Sequence, residues 1–231
     1  MSRKKLSEVC VYCGSKDSIT DEHVFPRMWF PKPRPDNLNL ITVPACKSCN
    51  ASFAKDQEYF RAMICLEQTA GDHPAAAALS ATIFRSLERT RAVGFRRQFL
   101  GEVGPVDVVS PGGVYLGQEL GYDVDYTRLN RGAALVFQGL HYYERRCRVP
   151  DGYSVRSVCT RELIGLDVKK QNELSTVLDE LMRHRHVHIG EGIASYCYAP
   201  RSDDSNASVW ALLMYEAVSF LGFVDPTANP L

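Results

Sequence analysis

The sequence predicts an α+β fold, with a small strand, strand, helix region at the start and a larger mixed region after it. Helical apolar spacing and short β-rich runs both occur along the chain. Hydrophobic residues make up 45% of the 231 residues, which is enough to bury a core. Two C-x-x-C pairs lie in the first 49 residues of the chain. We therefore predict one region at 1–70 and a second at 71–231.

The first region is predicted to contain two strands and a helix. Residues 18–25 and 41–43 are β-rich, and the prolines between them exclude a regular helix there because proline lacks an N–H and has a fixed φ. After the second C-x-x-C pair, apolar residues recur at helical spacing to about residue 68.

The second region mixes helical and strand patterns. Helical spacing occurs at 74–92, 128–143 and 171–183, and β-like runs occur at 105–126, 153–159, 186–189 and 193–198. The final apolar stretch, 209–224, fits either one helix or two strands, and we predict two strands. These patterns predict an α+β domain of unknown type.

Composition excludes several classes of protein. The chain has 27 basic and 27 acidic residues, and its composition is neither disordered nor fibrous. No apolar run is long enough to cross a bilayer, and the basic start is followed by no apolar stretch. We therefore expect a cytoplasmic protein without a membrane partner.

The paired cysteines indicate a structural zinc site. Cys10, Cys13, Cys46 and Cys49 form two pairs with C-x-x-C spacing, and each such turn supplies two adjacent corners of a tetrahedron. A disulfide framework would spread its cysteines more evenly in a shorter chain, and a redox site would need only one pair. Zn²⁺ bound by all four thiolates would close the segment between the pairs into a loop.

An acid and a histidine lie between these pairs. Glu22 directly precedes His23 near the end of the first predicted strand, and Asn50 follows the second pair at the predicted start of the helix. If zinc holds the pairs together, Glu22 and Asn50 can share one hard divalent cation through oxygen.

Together these residues resemble the HNH endonucleases of the ββα-metal fold, in the form clamped by two C-x-x-C pairs. The resemblance covers about the first 60 to 70 residues. It is carried, in the family's order, by Cys10-x-x-Cys13-Gly14, Glu22-His23-Val24-Phe25-Pro26, Asn37 or Asn39, and Cys46-x-x-Cys49-Asn50.

The resemblance implies a role for each matching residue. His23 would be the general base that deprotonates the attacking water. Glu22 and Asn50 would hold a catalytic Mg²⁺ or Mn²⁺. Asn39 would orient His23, and Asn37 stays open for the same role because the spacing to the second pair is longer than the usual pattern.

The chain departs from the family at one position. Some members offer a further histidine ligand one helical turn after the Asn50 position, and this chain has Ala54 there. The metal would then have fewer protein ligands, with Asp56 or Glu58 as distant helpers. A Mg²⁺ ion that keeps most of its water is compatible with such a shell.

Charge is unevenly distributed along the chain. Residues 1–65 contain ten basic and seven acidic residues, so the predicted module is basic and the remainder acidic. Arg27, Lys47 and Lys55 surround the predicted site in sequence and would contact nucleic acid.

These observations lead to one main hypothesis, a metal-dependent HNH endonuclease that hydrolyses DNA phosphodiester bonds, with RNA left open as a substrate. The second domain would supply target choice, regulation or dimerisation into a homodimer. Two alternatives remain at this point. One is a zinc ribbon that binds nucleic acid without cutting it, and the other is a sensor or interaction protein in which the zinc module is only a scaffold.

Overall fold

In the computed structural model, residues 9–34, 38, 40–87, 93–110, 112–164 and 166–227 are described. Over these residues the fold is mixed α+β, which confirms the predicted class. The described part of the chain contains five α-helices, nine strands and several short 3-10 turns. None of its helices is long and apolar enough to cross a membrane.

The first region forms two strands and a helix, in the predicted order. Strand β1 (Ile19–His23) pairs antiparallel with β2 (Thr42–Cys46), and helix α1 (Lys47–Cys65) follows β2 without a loop. The proline-rich segment between the strands contains a single 3-10 turn, Arg27–Trp29.

Helix α1 begins earlier than the sequence indicated. We expected it to start after Cys49, at Asn50, but its first residue is Lys47 and its N-cap is Cys46, whose side chain accepts a hydrogen bond from the Cys49 N–H. The second C-x-x-C pair is therefore the N-cap and first turn of the helix. Since Asn50 lies inside the helix, it is not the cap residue.

The second region has three parts. Helices α2 (Pro74–Leu87) and α3 (Val93–Gly101) lead into a hairpin of β3 (Val103–Val109) and β4 (Tyr115–Tyr122). Helix α4 (Tyr126–Arg145) follows. The last part is an antiparallel sheet in the order β5-β9-β8-β7-β6, with helix α5 (Val168–Met182) between β5 and β6. Its strands are β5 (Tyr153–Cys159), β6 (Val187–Ile189), β7 (Ala194–Pro200), β8 (Ser208–Met214) and β9 (Val218–Pro226).

The helices predicted at 128–143 and 171–183 are present as α4 and α5. The stretch 209–224 forms two strands, β8 and β9, as predicted. The helix predicted over 74–92 is described as α2 up to Leu87, and residues 88–92 lie outside the described residues.

Helices cover both faces of the five-stranded sheet. Alternate side chains of a strand point to opposite faces, so in β9 Phe220 joins the main core while its neighbour Leu221 packs in a smaller cluster with Leu181 of α5. On the main-core face, Phe137 of α4 lies against Gly222 so closely that a Cβ there would be 2.4 Å from its ring.

The main hydrophobic core contains residues from both sides of position 70. The ring of Phe60, in α1, stacks on Trp29 at 4.6 Å between centroids and on Phe220 of β9 at 5.3 Å. The buried Tyr215 hydroxyl, in the turn between β8 and β9, donates to the Trp29 carbonyl oxygen at 2.7 Å. The segment that follows β1 is therefore held by the C-terminal sheet.

Candidate metal centre and active site

The four cysteines of the two pairs converge on one point. Cys10 and Cys13 come from the loop before β1, whereas Cys46 and Cys49 come from the start of α1. Their four sulfur atoms lie within 4.8 Å of one another, and the Cys13 and Cys46 sulfurs are 3.6 Å apart. Corners of a tetrahedron with Zn–S bonds of about 2.3 Å lie about 3.8 Å apart. The cluster therefore fits a tetrahedral metal such as Zn²⁺, as predicted.

Hydrogen bonds shape the turn at the first cysteine pair and contact the Cys46 sulfur. The Gly14 N–H donates to the Cys10 carbonyl oxygen at 2.9 Å, in a turn that gives Gly14 a φ of +79°, where a side chain would be strained. The Ser48 hydroxyl and the Cys49 N–H both approach the Cys46 sulfur, at 3.0 and 3.5 Å. These contacts lower the pKa of Cys46 to about 6, which favours its thiolate, whereas burial and the neighbouring sulfurs raise the pKa of Cys49.

Side chains from the second region hold the first cysteine pair in place. Arg148 donates from Nε to the Val11 carbonyl oxygen at 3.4 Å, and its guanidinium covers Gly14, where a Cβ would lie 2.8 Å from Nη1. Gln138, in α4, donates to the carbonyl oxygens of Val11 and Tyr12, at 3.4 Å each. No local sequence signal identifies these residues, because they lie more than 120 positions from their partners.

Glu22 contacts helix α1 through a residue that the sequence analysis missed. In the ladder Glu22 pairs with Val43, and its Oε1 accepts a hydrogen bond from Gln57 Nε2 at 3.1 Å. Burial raises the pKa of this half-buried carboxyl. Gln57 could have been found by helical spacing, because it lies seven residues after Asn50 and so shares its face of the helix.

Asn50, the other predicted oxygen ligand, lies on the same helix. It is half-buried, and no described residue makes a hydrogen bond to its side chain. Phe53, between Asn50 and Gln57 on this face, packs edge-on against Tyr12 at 4.7 Å between ring centroids. The face therefore presents two amides separated by an aromatic contact.

His23 lies at the end of β1, beside the face of α1 that carries Phe53 and Gln57. Its side chain lines a small recess with Gln57 and Trp29, and its Nδ1 is buried without a hydrogen-bond partner among the described residues. Burial lowers the pKa of His23, and the positive charges of Arg27 and Arg34 lower it further. The imidazole is therefore neutral near pH 7 and able to accept a proton.

Of the other residues named from the sequence for catalysis or for the catalytic cation, two lie outside the described residues and three lie on α1. Asn39 and Asn37, predicted to orient His23, lie outside the described residues. Asp56 is paired with two arginines of α4, through Arg128 Nε at 2.9 Å and Arg131 Nε at 3.4 Å, so its charge is neutralised there. Ala54 and Glu58 are exposed on α1.

The residues predicted to contact nucleic acid, Arg27, Lys47 and Lys55, are all exposed. Lys47 is the first residue of α1, beside the cysteine cluster. Arg34 donates from Nε and Nη2 to the Arg27 carbonyl oxygen, at 3.2 and 2.6 Å. Arg27 and Arg34 lower the pKa of His23 while Asp21 raises it, so charges of both signs lie near the recess.

Among the residues that the structure describes, the four cysteines form the one group of three or more His, Cys, Asp or Glu side chains arranged to hold a metal. Any second cation would therefore depend on amide, backbone or water oxygens in addition to Glu22. No protein-family model, no curated protein and no solved structure matches the chain.

Proposed function

We propose that this protein is a zinc-stabilised, metal-dependent endonuclease of the HNH type that hydrolyses DNA phosphodiester bonds. The observation that carries the proposal is the placement of Glu22 and His23. They are adjacent at the end of β1, and Glu22 is bonded to the helix that starts within the cysteine cluster. This places a carboxylate next in the chain to a neutral imidazole that lines the recess, with Arg27 and Arg34 near enough to lower the pKa of that imidazole.

The donor atoms support a hard divalent cation at this position. Glu22 and Asn50 offer oxygen ligands, and Mg²⁺ and Mn²⁺ prefer oxygen, whereas the soft thiolates of the cysteine cluster prefer zinc. The two sites therefore suit different metals. Zinc would fix the start of α1 against β1, where the strand register pairs Ile19 with Cys46.

Each residue would contribute to hydrolysis in a definite way. His23 accepts the proton of the attacking water, for which its neutral form is required. Arg27 and Arg34 attract the phosphate into the recess. A divalent cation, when bound, supplies stabilisation of the charge that develops on the phosphate and on the leaving 3′ oxygen. Lys47 and Lys55 add contacts to the nucleic-acid backbone that do not depend on base sequence.

The test compares wild-type protein with His23→Ala on supercoiled plasmid, with Mg²⁺, Mn²⁺ or EDTA. We expect nicking by the wild type with either cation and a loss of at least about a hundredfold in His23→Ala, the scale of general-base catalysis. His186→Ala removes an exposed histidine far along the chain and serves as the matched control. Zinc content and melting temperature show whether each variant is folded.

Two outcomes would contradict the proposal. One is a wild-type protein that cuts neither DNA nor RNA with any of the cations. The other is a folded His23→Ala variant that nicks as fast as His186→Ala. DNA binding that weakens steeply with salt, without any cleavage, would instead favour a zinc module that binds nucleic acid without cutting it.

A further inference from the structure

Gln57 lies where the predicted metal site lacks a side-chain ligand. It follows Ala54 by three residues on the same side of α1, and its amide makes direct contact with the Glu22 carboxylate. We propose that Gln57 is a ligand of the divalent cation, binding it through Oε1 beside a carboxylate oxygen of Glu22. This inference rests on the proposed function, because it concerns the same cation.

The distance between the two side chains matches a pair of metal ligands. Neighbouring oxygens of an octahedral Mg²⁺ shell, each about 2.1 Å from the ion, lie about 3.0 Å apart. The separation between Gln57 Nε2 and Glu22 Oε1 is 3.1 Å. Rotation of the amide by half a turn exchanges its nitrogen and oxygen, so Oε1 can take this position without movement of the helix. The pair then becomes two oxygens at ligand spacing.

The backbone that carries Gln57 is fixed to the segment that follows His23. Trp29 donates from Nε1 to the Gln57 carbonyl oxygen at 3.2 Å, and its ring is stacked on Phe60. The Trp29 carbonyl oxygen in turn accepts the buried Tyr215 hydroxyl. This chain of contacts holds Gln57 and the end of β1 in one geometry, which a ligand pair requires before the metal arrives.

Charge supports a cation at this pair. Glu22 is half-buried, and no lysine or arginine of the described residues forms an ion pair with it. Asn50 lies seven residues before Gln57, about 10.5 Å along the helix axis at 1.5 Å per residue. Gln57 is therefore the amide of this helix face that contacts the carboxylate, and in this inference it takes the ligand position that the resemblance implied for Asn50.

Binding of Mn²⁺ to the zinc-loaded full chain tests the inference without any need for cleavage. The signal of free Mn²⁺ in electron paramagnetic resonance gives the dissociation constant. We expect Gln57→Ala to weaken binding by about tenfold or more, the scale for lost contacts in a metal shell, and Gln57→Glu to retain it because the variant keeps an oxygen at this position. Gln68→Ala removes an exposed amide just after the same helix and should bind like the wild type.

A crystal structure of the full chain soaked with Mn²⁺ distinguishes a ligand from a residue that only orients Glu22. We expect an anomalous peak within about 2.3 Å of both Gln57 and Glu22. Gln57→Ala binding Mn²⁺ as tightly as Gln68→Ala, a peak on Glu22 with the Gln57 amide still bonded to the carboxylate, or a wild type that binds no Mn²⁺ would each overturn the inference. Failure of the proposed function looks different, because Mn²⁺ then binds at this pair but no nucleic acid is cut.

Discussion

Gly132 in α4 gives a direct test of how the helix packs on the N-terminal region. A Cβ built at this position would lie 2.8 Å from Cδ2 of Phe60 in α1, which is closer than carbon atoms approach in folded proteins. The Phe60 ring has little freedom to move aside, because it is stacked on Trp29 at 4.6 Å and on Phe220 at 5.3 Å. Gly132→Ala therefore forces either the ring stack or the helix to shift.

Two opposing effects set the size of the change. Alanine is favoured over glycine in the interior of a helix by about 1 kcal/mol. Overpacking by an added methyl in a rigid core costs about 1 to 3 kcal/mol. Because the overlap falls on a stacked aromatic ring and not on a mobile chain end, we expect the second effect to prevail. Gly132→Ala should lower the free energy of unfolding by up to about 2 kcal/mol.

Urea unfolding followed by circular dichroism measures this change, with Gly94→Ala as the matched control. Gly94 lies in α3 with no atom within 4 Å of its built Cβ, so the same substitution there has only the propensity effect and should raise stability by up to about 1 kcal/mol. Opposite signs for the two variants are the expected result. If Gly132→Ala stabilised the protein as Gly94→Ala does, the close packing of α4 on α1 would be refuted.

Three further predictions concern the metal centre and two buried groups. Cys46→Ser should reduce zinc, measured by mass spectrometry, from about one ion per chain to a small fraction, and an unchanged content would exclude the four-cysteine site. Tyr215→Phe leaves the buried Trp29 carbonyl oxygen without its partner, so urea unfolding should show a loss of about 1 to 3 kcal/mol, and a loss below about 0.5 kcal/mol would count against this bond. His141 is fully buried in α4, and burial together with the charge of Arg145 lowers its pKa to about 4. The unfolded chain therefore takes up a proton at His141 near pH 6.5 while the folded chain does not, so stability should fall by up to about 3 kcal/mol between pH 6.5 and 4. His141→Leu should flatten this part of the curve, and equal slopes in both proteins would assign the effect to other groups.

Local patterns in the sequence were sufficient to predict the four-cysteine cluster. The C-x-x-C spacing, the β-rich runs on either side of the proline-rich segment and the helix after the second pair are all properties of residues close together in the chain. The start of α1 was predicted wrongly for a local reason. The cap is the sulfur of Cys46, and the usual preference for Ser, Thr, Asp or Asn at that position does not include cysteine.

Long-range contacts were not predictable from these patterns. The bond of Gln57 to Glu22 spans 35 positions, and that of Tyr215 to Trp29 spans 186. Each depends on how β1, α1 and the C-terminal sheet pack together, which no run of neighbouring residues encodes. Arg148, which covers Gly14, is a further example, because a single arginine in a loop has no distinguishing pattern. The candidate site was thus predicted as a set of residues, but its support was not.

The dependence of DNA cleavage on a second metal tests the central claim most directly. Mg²⁺ is titrated into zinc-loaded wild type and Glu22→Ala, and nicking of plasmid and affinity for DNA are measured in parallel. We expect no nicking with zinc alone, saturable nicking by the wild type as Mg²⁺ rises, and loss of nicking in Glu22→Ala with DNA affinity retained. Nicking by the wild type without added cation, or by Glu22→Ala at the wild-type rate, would contradict it.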